Sequence, residues 1–228
     1  MISDIKMGLK LFKYSLSFKS TVTMYIIFFG LGVLFTILTP ESGADSIIAM
    51  GGAYMALSGA YVGQMLFNVN IGKIIQSSPY KCKLQTKIPN LFSFISILFS
   101  FTMFILIKVV QIKCFGCFGT EELLMKQTFA VIMTAVMSFC MLLYIGVAFK
   151  KYVLSTVFLF ITIIPMMLLM MSSDRLIGFV TGISFGLAIF IGYAIIIVGF
   201  LLSLLVSRMV YKLDIEENSY KKLLERVK

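Results

Sequence analysis

The residue types that most often carry out catalysis in proteins are scarce in this chain of 228 residues. It has no histidine, and its four cysteines are Cys82, Cys114, Cys117 and Cys140. Cys114 and Cys117 have the spacing of a disulfide or a redox pair, but the surrounding sequence lacks the strand and helix pattern of thioredoxin-like proteins. We expect free thiols or a local disulfide here, and this inventory argues against a zinc or haem site.

Residues for energy coupling are missing as well. A nucleotide-binding P-loop ends in Gly-Lys-Ser or Gly-Lys-Thr, whereas Gly72 and Lys73 are followed by Ile74. Ion-driven transporters usually bury ionisable groups within their helices. The apolar runs of this chain carry no Asp, Glu, His or Arg near their centres, and Lys108 falls near the outer end of one run. We expect no catalytic residue and no metal site, so this chain alone is not an enzyme.

The composition is that of a membrane protein. Hydrophobic residues make up 60% of the chain and charged residues 13%, against about 25% in soluble domains. The mean hydropathy is +1.01. The net charge is +10, but the lysines interrupt apolar runs rather than cluster on one soluble face. We therefore expect the lipid bilayer as a partner, and no nucleic acid.

The apolar runs predict six crossings, because a bilayer core about 30 Å thick needs roughly 20 helical residues. The first five predicted spans are Thr21–Thr39, Ser46–Phe67, Leu91–Ile112, Gln127–Phe149 and Val153–Met171. The last run extends from Leu176 to Val210. With the amino terminus inside, 16 of the 20 basic residues lie in cytoplasmic segments, as the positive-inside rule requires. The predicted fold is an all-α polytopic membrane protein with both termini in the cytoplasm.

Two further segments complete the predicted organisation. Residues 1–19 form an amphipathic interfacial helix, because Ile5, Leu9, Phe12 and Leu16 recur at helical spacing among lysines. The six-helix transmembrane domain covers residues 20–210 and includes a cytoplasmic loop at 68–90. Residues 211–228 form a cytoplasmic tail.

Small residues predict close helix packing in two places. The second span carries Gly52, Ala56, Gly59, Ala60 and Gly63, a pattern that favours packing within the bundle or across a homodimer, or else a lumen lined by small residues.

The last run carries Gly178, Gly182 and Gly186, and it is too long for one crossing. One interpretation is a long tilted helix that packs through these glycines. The other, which we favour, is a re-entrant segment at 176–186 that turns near Gly186 into the sixth span.

The loop at 68–90 has a residue pattern beyond the few lysines that the positive-inside rule requires. An apolar edge of isoleucines at helical spacing precedes a Ser-Ser-Pro turn, and three lysines follow the turn. This pattern predicts a docking element for a cytoplasmic protein. Its predicted residues are Ile71, Lys73, Ile74, Ile75, Gln76, Ser77, Ser78, Pro79, Tyr80 and Lys81.

The layout resembles the membrane subunits of bacterial ABC-2 (type II) exporters, the small half-permeases for amphipathic peptides above all. The resemblance covers the amphipathic lead, the six spans, the "IIQSSPYKCKLQTKIP" stretch after span two and the segment before span six. It implies a homodimer, or a paired heterodimer, in the bacterial plasma membrane. It also implies separate ATPase subunits, which bind ATP and Mg²⁺ and contact residues 71–81. This chain itself is then expected to bind no cofactor.

Two other classes of function remain open at this point. The chain could be a non-transporting immunity, assembly or sensor protein of the membrane. It could also be a self-contained channel or secondary transporter, a class against which the uncharged spans argue.

Overall fold

The protein is described by a computed structural model that covers residues 2–13, 18–38, 45–71, 77–114, 121–148, 150–171 and 182–213. Within these ranges all regular structure is helical, as the sequence predicts. The helices are α1 Ile2–Lys13, α2 Phe18–Leu38, α3 Asp45–Ile71, α4 Lys81–Gln85, α5 Lys87–Cys114, α6 Glu121–Ala148, α7 Tyr152–Met171 and α8 Phe185–Tyr211.

Four apolar stretches are long enough to cross a membrane. They are Phe18–Leu38, Lys81–Lys113, Leu124–Ala148 and Phe185–Tyr211. They coincide with the first, third, fourth and last predicted spans, and they identify a membrane-embedded protein. The other two predicted spans coincide with α3 and with α7, whose apolar part is the shorter stretch Val153–Pro165. Six crossings therefore remain a prediction.

Contacts between the long helices define two ends of the bundle. Asn90 of α5 meets Ser207 of α8 at one end, which also carries α4, and we call it the basal end. Gln111 of α5 meets Thr36 of α2 at the other end, which we call the distal end.

Helix α6 lies at the centre of the bundle. In its apolar stretch 67% of the residues are buried, against 22% for α8 and 17% for α2. Its buried side chains, Val131, Met141 and Leu142 among them, join those of α3, α5 and α8 in one core.

The outer helices expose large apolar side chains on their remaining faces. Ile26 of α2, Ile161 of α7 and Phe190 of α8 are examples, each more than half exposed. Such continuous apolar surface is stable in lipid rather than in water.

The small residues of α3 lie where helices approach most closely. A side-chain atom on Gly52 would collide with Thr134 of α6, one on Gly59 with Ile97 of α5, and Gly63 lies against both helices. Ala56 and Ala60 are buried in the core between these glycines. The row therefore packs inside this chain.

Helix α8 begins at Phe185 rather than at Leu176, so one continuous helix through the last apolar run is wrong. Gly182 has φ of 97°, a left-handed conformation that glycine adopts without strain. Ser184 then caps α8, because its hydroxyl accepts a hydrogen bond from the Leu187 N–H. At Gly182 and Gly186 a side chain would meet open space, so neither lies at a close helix contact in the described part of the chain. Gly178 lies outside the described residues, as does most of the predicted re-entrant segment.

Helix α1 packs partly on the bundle. The Phe12 ring meets the Phe92 ring of α5 edge to face, with 4.8 Å between centroids. Ile5 packs on the same cluster, whereas Leu9 is 57% exposed. The helix therefore has one apolar edge on protein and another that remains available to lipid.

Replacing Gly59 tests the close contact between α3 and α5. Gly59→Ala should lower the melting temperature in detergent, because the added methyl group overpacks the contact with Ile97 at a cost of about 1–3 kcal/mol. Gly30→Ala is the matched control, since it gains the same helix propensity of about 1 kcal/mol and meets no neighbour. Equal melting temperatures for the two variants would contradict the packing described here.

Candidate functional site

The predicted docking residues divide into three groups. Ile71 ends α3, and Lys73, Ile74, Ile75 and Gln76 lie outside the described residues. Ser77, Ser78, Pro79 and Tyr80 form a turn, which we call the docking turn. Lys81 begins the short helix α4. Within the described part of this loop, helix begins at Lys81, the last residue of the predicted docking element.

The docking turn is held by Ser78. Its carbonyl accepts a hydrogen bond from the Lys81 N–H at 3.0 Å, and its hydroxyl accepts one from the Tyr80 N–H at 3.2 Å. Both bonds close the chain on itself before α4, as Ser-Pro sequences favour. The turn directs Tyr80 outward, with 57% of the residue exposed. Ser77 and Pro79 are also exposed.

Helix α4 fixes this turn to the bundle. Leu84 is buried in a cluster with Leu66 of α3, Ile88 of α5 and Phe12 of α1. Thr86 separates α4 from α5, and its hydroxyl donates back to the Cys82 carbonyl at 2.7 Å. Side-chain packing therefore connects α4, which follows the docking turn, to α1, α3 and α5.

A buried polar network continues this connection to α8. The side-chain amide of Asn90 donates to the Thr86 carbonyl at 2.7 Å and to the Ser207 hydroxyl at 2.6 Å. Its oxygen accepts from the Ser203 hydroxyl at 2.6 Å. All three side chains are almost fully enclosed.

The two serines also reach the central helix. The Ser203 hydroxyl lies 2.7 Å from the Leu142 carbonyl, and the Ser207 hydroxyl lies 3.2 Å from the Gly146 carbonyl. Gly146 permits this approach, because a side-chain atom there would crowd both serine hydroxyls. One asparagine thus joins the start of α5, the end of α6 and the end of α8.

Lys150 makes a second connection between α6 and α8. Its ammonium donates to the Leu213 carbonyl at 2.9 Å and lies 5.4 Å from the centre of the Tyr211 ring. A cation just past the end of α8 also interacts favourably with the negative end of that helix's dipole. From the sequence, Lys150 counts only as one of the cytoplasmic basic residues of the positive-inside pattern.

The described part of the basal end presents an exposed turn on packed helices. No group of three or more His, Cys, Asp or Glu residues that could hold a metal occurs among the residues the structure describes. Cys82 and Cys140 are free thiols. The Cys114 and Cys117 pair is not among the described side chains, so its predicted state remains a prediction.

Sequence reasoning missed two sets of polar residues. Asn90, Ser203 and Ser207 carried no signal, because single polar residues in apolar helices most often bond to their own backbone. Lys108 lies near the end of its span, as the sequence predicts, but its complete burial was not predicted. Neither spacing nor composition reveals which side of a helix faces the bundle.

Comparisons with protein-family models, with curated proteins and with solved structures find no match to this chain.

Replacing Asn90 tests the network. Asn90→Ala should destabilise the protein by about 1–3 kcal/mol, because it removes the partner that joins Ser203 to Ser207 inside the bundle. The measurement is thermal unfolding in detergent. Thr23→Val is the control, since the exposed Thr23 hydroxyl bonds only the Lys19 carbonyl of its own helix. A similar change in both variants would contradict the special role of Asn90.

Proposed function

We propose that this chain is the membrane-spanning subunit of an ATP-driven exporter and forms the translocation pathway. The observation that carries the proposal is the docking turn, an exposed element that packed helices connect to the interior of the bundle. Such an arrangement suits the transfer of motion from a separate ATPase into the membrane. The residues from Ile71 to Lys81 would contact the ATPase, which alone would bind ATP and Mg²⁺.

The proposed topology has six crossings, formed by α2, α3, α5, α6, α7 and α8. Both termini and the docking turn then lie in the cytoplasm, with sixteen of the twenty basic residues on that side. The proposed location is the bacterial plasma membrane, and the proposed assembly is a homodimer. The proposed cargo is amphipathic or hydrophobic peptides, as the resemblance to the small half-permeases implies.

The proposed coupling path runs from Tyr80 through α4 to Asn90, and from there to α8 and α6. Closure of the ATPase would displace the docking turn, and Leu84 would carry that displacement to the start of α5. Asn90 would transmit it to Ser203 and Ser207. The pathway between two copies of the chain would then change its accessible side.

A second candidate is a self-contained transporter, and Lys108 favours it. Ionisable groups buried in membrane helices commonly mark ion or substrate pathways. The uncharged helix centres still argue against this class, because Lys108 lies near the distal end of α5. Transport by the purified chain in liposomes without any ATPase would support this candidate over the exporter.

Replacing Tyr80 tests the docking assignment. Tyr80→Ala should weaken binding of the partner ATPase by about tenfold or more, because exposed aromatic residues often dominate interfaces. The measurement is copurification with, and affinity for, a candidate partner ATPase that carries Walker A and signature motifs. Leu213→Ala is the control, as Leu213 is a similarly exposed apolar residue at the same end. Full binding by the Tyr80 variant would refute the assignment.

Cys82 provides a test of orientation, because it is an exposed free thiol beside the docking turn. A chain that retains only Cys82 should react with a membrane-impermeant thiol reagent after cell lysis and not before. A chain that retains only Cys114, kept reduced, should react in intact cells. The reverse pattern would invert the proposed topology.

A further inference from the structure

Lys108 is a buried cation without a hydrogen-bonding partner. The side chain is fully enclosed, and its ammonium Nζ makes no hydrogen bond. Among the described residues, the ammonium makes a cation–π contact with the Phe104 ring, whose centroid is 5.6 Å away. A cation–π contact offsets only part of the cost of removing an ammonium from water. The protein therefore holds a charge that its described residues do not neutralise.

Two buried glutamines, one on α5 and one on α6, also have unsatisfied groups. Both polar atoms of the Gln127 side chain are buried without a partner, and so is Oε1 of Gln111. The Gln111 amide is held in place by its bond to the Thr36 carbonyl at 2.8 Å. Buried polar groups are almost always paired, so three unsatisfied side chains in one region call for an explanation.

These side chains share one level of the bundle. Gln111 follows Lys108 by three residues, which places both on the same side of α5. Residues 115–120 join α5 to α6. Lys108 lies six residues before the end of α5, and Gln127 lies six residues after the start of α6. The antiparallel helices therefore bring Lys108, Gln111 and Gln127 to the distal end together.

The depth of this region matches that of a lipid phosphate. Helix α5 has 28 residues, hence about 42 Å of length, and exceeds a hydrocarbon core of about 30 Å by about 6 Å at each end. Lys108 lies about 9 Å from the end of α5 on this scale. Its ammonium is thus within about one helical turn of the headgroup boundary.

The unsatisfied atoms define the chemistry of a ligand. Lys108 and the Gln127 amide are donors, and the Oε1 atoms of Gln111 and Gln127 are acceptors. A ligand that satisfies all of them has anionic oxygens and two hydroxyl donors close by. Dihydrogen phosphate has both, and so does a phosphoglycerol headgroup.

We propose that Lys108, Gln111 and Gln127 bind a phosphate group that carries a hydroxyl donor, either the phosphoglycerol headgroup of an anionic lipid or inorganic phosphate. The ammonium neutralises the phosphate, and the glutamine oxygens accept from the hydroxyl. This site is independent of the docking turn and of the proposed exporter function.

The test measures the thermal unfolding of the delipidated full chain in neutral detergent. Phosphatidylglycerol should raise the wild-type melting temperature by several degrees, and phosphatidylcholine should not. If inorganic phosphate is the source, phosphate alone gives the rise and phosphatidylglycerol adds none. Sulfate at matched ionic strength lacks the hydroxyl and should have a smaller effect than phosphate.

Variants assign the effect to the site. Lys108→Met should lose the response while melting at or above the wild-type temperature without ligand, because it removes an unpaired buried charge. Gln127→Leu should lose most of the response, and Lys113→Met, at an exposed lysine of the same helix, should retain it. Lipid phosphorus retained after purification should fall in Lys108→Met if a lipid is the source.

Three results would overturn the proposal. They are no response of the wild type to either phosphate source, an unchanged response in Lys108→Met, and a ligand-free Lys108→Met protein that melts well below the wild type. Equal effects of sulfate and phosphate would overturn the role given to the glutamine oxygens.

Discussion

The bundle depends on close approach of α3 and α8 to the central helix α6. Gly52 and Gly63 make this approach on the α3 side, and Gly192 and Gly199 make it on the α8 side. In lipid the hydrophobic effect does not drive helices together, so dispersion contacts between closely packed backbones must do so. Short distances also let serine hydroxyls of α8 reach the carbonyls of α6. The polar connections of the basal end thus follow from the glycines.

The Asn90 network and the side chains around Lys108 differ in how far their polar groups are paired. At the basal end each hydroxyl and amide of the Asn90 network has a partner, and the network joins three helices. At the distal end Lys108 and Gln127 have buried atoms without one. A paired polar group costs little to bury, whereas an unpaired buried group costs free energy until water or a ligand pairs with it. The proposed coupling path depends on the paired groups of the basal end, and the proposed phosphate site depends on the unpaired groups of the distal end.

The sequence predicts the positions of the helices well, but it predicts poorly which side of each helix is buried in the bundle. The predicted spans end within six residues of α2, α3, α5, α6 and α7, because lysines and polar turns interrupt the apolar runs. A helix that is apolar on all sides gives no period from which its buried side could be inferred. For this reason the enclosure of Lys108 and the contacts of Asn90 emerge only from the fold. The small residues of α3 are an exception, since their spacing alone predicts a contact.

The Asn90 network has more acceptors than protons. The single proton of Ser203 can go to Asn90 Oδ1 at 2.6 Å or to the Leu142 carbonyl at 2.7 Å, and that of Ser207 can go to the carbonyl of Gly146 or of Ser203. The hydrogen-bond pattern is therefore degenerate, with several arrangements of similar energy. If α8 slides a short distance along α6, each hydroxyl exchanges one acceptor for another and keeps its bond. Such a contact would hold α6 and α8 together laterally and still allow a small displacement along their axes.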